Sequence, residues 1–108
     1  MRLSPSGLVS RLADMSETGT ETWETVCRVC GYDDADVFWA DGWPTAEICS
    51  CCGNESDVAD DSVLGLRHDR GYWVGQGAPW HSPGAERRHK SQGWDLLRQL
   101  ANIPEQWR

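Results

Sequence analysis

Cys27-Arg28-Val29-Cys30-Gly31 and, 18 residues further on, Cys49-Ser50-Cys51-Cys52-Gly53 decide the reading of this chain. Each is a Cys-x-x-Cys-Gly turn, and two such turns form the sequence pattern of a four-thiolate metal site. Zn²⁺ suits it best, because this d¹⁰ ion takes four thiolates tetrahedrally at about 2.3 Å, and four protein ligands leave no open position for catalysis. Gly after the second Cys of each turn tolerates the positive φ that lets backbone amides face the thiolates. The expected ligands are Cys27, Cys30, Cys49 and Cys52. Cys51 is the spare, a small buried residue beside the metal, and its exchange with Cys49 or Cys52 is the competing assignment. A mononuclear iron of the rubredoxin kind uses the same ligand set and stays open. A dithiol redox pair would need a βαβ context around one Cys-x-x-Cys, and the sequence has none.

Working outward, Val37-Phe38-Trp39 is an apolar triplet suited to a short strand. Asp41-Gly42-Trp43-Pro44 is turn chemistry, and Ala46-Glu47-Ile48 reads as the strand entering the second Cys turn. Two such strands make a ribbon too small to stand without metal. Beyond Gly53, a helix is expected from about 61 to 74, capped by Asp60, Asp61 or Ser62, with Val63, Leu66, Arg70 and Trp73 on one face. Residues 75–79 read as a break, 80–84 as a loop anchored by Trp80, and 85–93 as a polar, basic loop. A second helix is expected over 94–102, with Trp94, Leu97, Leu100 and Ala101 as its apolar stripe and Pro104 ending it. The fold expectation is therefore a small α+β protein. A rubredoxin-like zinc ribbon (23–58) carries two Cys turns on short antiparallel strands, and a segment of two short helices and a Trp-rich loop (59–108) packs on it as one domain. Residues 1–22 read as a flexible arm, with one short helix around Leu8, Val9 and Leu12 ahead of a Ser/Thr/Glu run.

Charge is unevenly distributed. Residues 27–62 carry Arg28 against nine carboxylates, whereas 63–108 carry seven Lys or Arg against four. An acidic middle repels polyanions and attracts a basic protein partner. Seven Trp in 108 residues let a small core be built from a few large rings. There is no apolar run long enough for a membrane span, and no apolar stretch of a secretory signal near the N-terminus. A reducing cytoplasm is the expected setting.

The two turns, taken as Cys27-Arg28-Val29-Cys30-Gly31-Tyr32 and Ile48-Cys49-Ser50-Cys51-Cys52-Gly53, carry a resemblance. The chain resembles small bacterial cysteine-rich proteins of the CPCC type, which look like zinc ribbons, with Arg28 and Ser50 standing where those have Pro. Trp73, Gly77, Trp80, Trp94-Asp95, Gln99-Leu100 and Ile103-Pro104 stand where that family has a Trp-containing loop and a closing segment, so the likeness spans about 24–107. It implies a zinc-ribbon fold. Some members look like immunity proteins, which implies an immunity or inhibitor role.

These readings converge on a structural Zn²⁺ in a protein that binds another protein, with Asp33, Asp34, Asp36, Trp43 and Trp107 as the candidate contact surface; Trp43 beside Pro44 and Trp107 at the terminus are the expected exposed anchors. A nucleic-acid-associated ribbon using Arg87, Arg88 and Lys90 beside Trp80 and Trp94 is the alternative from another class. A rubredoxin-like electron carrier is the third. No Ser/His/Asp or Cys/His arrangement, phosphate-cradling Gly loop or isolated carboxylate pair argues for an enzyme. His68, His81 and His89 lack ligand spacing for a second metal.

Overall fold

The computed structural model describes residues 22–58 and 62–108, so the expected arm, apart from Thr22, lies outside the described residues. Among the described residues the fold is small α+β: a three-stranded antiparallel sheet, three α-helices and a cluster of four Cys. The strands are β1 (Trp23–Glu24), β2 (Trp39–Ala40) and β3 (Trp43–Pro44), with β2 in the middle. Asp41 and Gly42 both have positive φ (52° and 83°). This is the mirror-image two-residue turn whose twist matches paired strands, and Asp-Gly is among its preferred sequences. The turn expected at 41–44 is thus a hairpin whose second arm is β3. Pairing aligns Trp23 with Ala40 and Ala40 with Trp43, so the three share one face; Glu24, Trp39 and Pro44 share the other.

The strand expected at 46–48 is reduced to a single antiparallel bridge between Ile48 and Glu55. Ala46 adopts a φ of 64° and its amide donates to Ser56 Oγ (2.8 Å), which takes the chain out of an extended path.

Helix α1 (Val63–Gly75) is capped by Ser62, whose Oγ accepts from the Gly65 amide at 3.0 Å. Leu66 and Trp73 are its buried residues, as the expected face requires. Residues 83–90, expected within loop, form helix α2 (Pro83–Lys90). Its start is encoded by Ser82, which caps the Ala85 amide, and by Pro83 at the first helical positions; its end carries Arg87, Arg88, His89 and Lys90 against the negative pole of the helix dipole.

Helix α3 (Leu96–Leu100) is shorter than expected and turned differently. Asp95 is its cap, so Trp94 lies outside it. The buried side is then Leu96, Gln99 and Leu100, followed by Ile103, while Leu97 is 75% exposed. Successive residues stand about 100° apart around a helix, so this stripe, which shares only Leu100 with the expected one, points to another side of it. A 3₁₀ turn (Glu105–Trp107) closes the chain and packs against α1.

The core is assembled around the Cys cluster and includes Val29, Tyr32, Phe38, Trp39, Leu66 and Trp73, with Trp80, Leu96, Leu100 and Trp107 packed partly buried against it. Trp107, expected to be exposed, is half-buried. The guanidinium of Arg28 lies between its ring (3.8 Å) and that of Trp39 (3.9 Å) while making a bidentate pair with Glu24 at 2.7–2.8 Å. Trp43 is exposed (76%), and so is Trp23 (58%). No helix among the described residues is long and apolar enough to cross a membrane.

Candidate metal centre

The two Cys turns have the same backbone construction. In the first, the Gly31 amide donates to the Cys27 carbonyl (2.9 Å) and the Cys27 amide to the Tyr32 carbonyl (2.8 Å); in the second, Gly53 donates to Cys49 (2.9 Å) and Cys49 to Asn54 (2.9 Å). An antiparallel bridge clasps each: Val26 with Asp33, Ile48 with Glu55. Gly31 and Gly53 have φ of 84° and 80°, the left-handed conformation foreseen for them.

This geometry aims four sulfurs at one point. The Sγ atoms of Cys27, Cys30, Cys49 and Cys52 all lie within 4.8 Å of one another. Across the two turns, Cys27 and Cys52 approach to 3.7 Å and Cys30 and Cys49 to 3.6 Å. Metal–sulfur bonds of about 2.3 Å in a tetrahedron place its corners about 3.8 Å apart. Two opposite edges therefore already have the required length. Four Cys so placed can hold a metal ion.

The four thiols do not ionise alike. Hydrogen bonds from Cys27, Cys30 and Cys52 pull the Cys49 thiol far down, whereas burial pushes Cys30 up and the hydrogen bond with Cys27 pushes Cys52 up. Of the four, the Cys49 thiolate is thus favoured, while those of Cys30 and Cys52 are opposed by burial and by hydrogen bonding. A divalent cation lets four thiolates coexist there.

Cys51 is outside this group of four. It is fully buried, and Gln99 Nε2 donates to its Sγ at 3.4 Å and to the Cys30 carbonyl at 3.2 Å. Each turn also has its own cover. Over the first lies α3, with Gln99 on Cys30 and Asn102 Nδ2 on the Gly31 carbonyl (3.4 Å). Over the second lies the loop after α1, where the His81 and Ser82 amides donate to the Cys51 and Ser50 carbonyls at 2.9 and 2.8 Å.

Arg70, which sequence placed on the apolar face of α1, ties three segments together. Its guanidinium donates to the carbonyls of Val29 (2.6 Å), Arg28 (2.8 Å) and Trp107 (2.9 Å). Burial lowers its pKa, as expected for a cation withdrawn from water. Neither this anchor nor Gln99 has a sequence signature. The Arg28 stack left none either: Glu24 and Arg28 stand four apart, a spacing that brings side chains together on a helix, but Glu24 lies in β1.

The candidate contact residues fare unequally. Asp34 accepts from Tyr32 Oη (3.1 Å) and pairs with Arg88, so part of its charge is engaged within the chain. Asp33 accepts from the Ala35 amide, and Asp36 is exposed. On α2, Lys90 pairs with Glu86 (2.7 Å) as Arg88 does with Asp34, which weakens the cluster as a phosphate-binding surface. His68 and Asp69 approach to 3.9 Å on the exposed side of α1 and belong to no larger ligand group among the described residues.

No family model, no curated protein and no solved structure matches this chain.

Proposed function

We propose that the chain is a rubredoxin-like zinc ribbon in which Cys27, Cys30, Cys49 and Cys52 hold one structural Zn²⁺, and that the resulting scaffold binds another protein carrying basic charge. The observation behind it is the convergence of four sulfurs from two identically built turns to within 4.8 Å of one another, with two opposite edges at tetrahedral length. All four positions are filled by thiolates, so the metal stabilises the fold and supplies no open site. Protein binding is supported by two exposed Trp rings, Trp23 and Trp43, on one face of a sheet within an acidic segment. The likeness to CPCC-type proteins points the same way, toward an immunity or inhibitor role.

Elemental analysis of protein expressed without added metal, combined with a native thiol count, tests the metal half. One zinc per chain and, at most, the single thiol of Cys51 reactive without denaturant is expected, with loss of near-UV dichroism on chelation. Iron with a red colour would replace the reading with electron transfer. No bound metal and five reactive thiols would remove the ribbon altogether.

A further inference from the structure

Cys52 stands apart from the other three thiols of the metal centre. Cys27, Cys30 and Cys49 are no more than 2% exposed, whereas Cys52 is partly exposed and lines an open groove of about 640 Å³ between the second Cys turn and α1. Gly53, Val58, Tyr72, Trp73 and His81 are among its other walls, and it has ample room for a small oxidant. We propose that Cys52 is an oxidation site, at which hydrogen peroxide joins Cys52 to Cys27 in a disulfide and empties the metal centre. This rests on the zinc reading above and adds a regulation to it.

The structure selects the partner thiol. Sequence proximity would favour disulfides within each turn, Cys27 with Cys30 and Cys49 with Cys52. The close approaches run across the turns instead: Cys52 Sγ is 3.7 Å from Cys27 Sγ, and on the opposite edge Cys30 and Cys49 stand 3.6 Å apart. A disulfide needs about 2.05 Å between sulfurs, so either crossing pair closes by a small movement once no ion spaces them. Cys51, adjacent in sequence, is fully buried with its Sγ held by Gln99 Nε2, which keeps it out of the competition.

Zn²⁺ has no redox chemistry, so both electrons come from sulfur. The Cys52 thiolate attacks one peroxide oxygen: an S–O bond forms, the O–O bond breaks, and hydroxide leaves. The Cys27 thiolate then attacks the Cys52 sulfur: an S–S bond forms, the S–O bond breaks, and a second hydroxide leaves. The two thiolates together lose two electrons, one peroxide is reduced, and two solvent protons convert the hydroxides to water. Only Cys30 and Cys49 are then left as donors, too few for a closed tetrahedral site. The new bond spans 25 positions and ties the first turn to the second, so it takes over the clasp that the metal supplied.

The test treats the full chain, analysed for zinc beforehand, with an equimolar amount of hydrogen peroxide. Zinc release is followed with a chromogenic chelator, and disulfides are mapped by mass spectrometry after the remaining thiols are alkylated in denaturant. Loss of one zinc for each Cys27–Cys52 disulfide is expected, with Cys30–Cys49 forming only under excess peroxide and with reductant plus zinc restoring the starting state. Cys51→Ser should change neither the rate nor the pairing. A first disulfide within one turn, between Cys30 and Cys49, or to Cys51 would overturn the assignment of Cys52 and Cys27. A zinc-loaded chain that releases its metal no faster with peroxide than without overturns this inference and leaves the zinc reading standing. A chain that carries no zinc before peroxide is added overturns both.

Discussion

Replacing Gly31 and Gly53, one at a time, by alanine separates what a Cys turn demands by itself from what its surroundings demand. Both residues sit at a left-handed φ, 84° and 80°, so each substitution carries the same backbone cost of about 1–2 kcal/mol. The neighbourhoods differ. A methyl on Gly53 would meet His81 Nδ1 at 3.3 Å, part of an exposed side chain that can move aside. A methyl on Gly31 would fall far inside contact distance of the Gln99 carbonyl oxygen and 3.2 Å from Ile103 Cγ1. The oxygen is backbone, so relief requires shifting α3. That shift breaks the hydrogen bonds from Gln99 to Cys30 and from Asn102 to Gly31, each roughly 1 kcal/mol, and loosens Ile103, which is 2% exposed. Gly31→Ala should therefore cost at least about 2 kcal/mol more than Gly53→Ala. Guanidinium unfolding of both variants at one fixed free-zinc concentration, followed by Trp fluorescence, gives the comparison. Equal losses, within about 0.5 kcal/mol, would refute the packing of α3 on the first turn.

Cys51→Ser should keep the intense thiolate-to-cobalt absorption of a cobalt-substituted site, while Cys52→Ser should weaken metal binding by more than about 100-fold in chelator competition; the opposite ranking would reassign the ligands. Arg28→Lys keeps the charge but loses the bidentate pair with Glu24 and the flat stack between Trp39 and Trp107, for an expected loss of about 1–3 kcal/mol in the same unfolding assay. Burial, then the Asp34 hydrogen bond, pushes the Tyr32 hydroxyl up to about 12. Because that value is raised, the stability it contributes is complete below the ordinary tyrosine range near pH 10 and is lost as pH rises through about 12. Tyrosinate absorbance in a Tyr72→Phe background should place Tyr32 there; titration near 10 would show the ring to be solvated.

Much of this molecule was written locally. A Cys-x-x-Cys-Gly turn is its own instruction: the spacing sets the sulfurs, and Gly31 and Gly53 supply a conformation that costs other residues energy. Ser62 and the Leu66/Trp73 face likewise encode α1 without reference to anything distant. Asp41-Gly42 encodes the hairpin turn, although its second arm, β3, was legible only as part of the turn. Helix α2 was also encoded, by Ser82-Pro83, but its polar composition masked it.

The sequence by itself thus determined that four thiolates would converge and that the segment around them would be acidic. Tertiary structure decided what covers them and which rings remain outside. Helix α3 turns Gln99 inward onto Cys30 and Cys51, a polar residue on the buried face that the apolar periodicity of the sequence does not select. Trp107 is drawn in because Arg28, 79 positions earlier, offers a flat cation that also packs on Trp39, and Arg70 joins both ends through three carbonyls. Such contacts depend on long flexible side chains meeting backbone and rings far away in the chain. No local pattern fixes them; they follow from the packing of the whole.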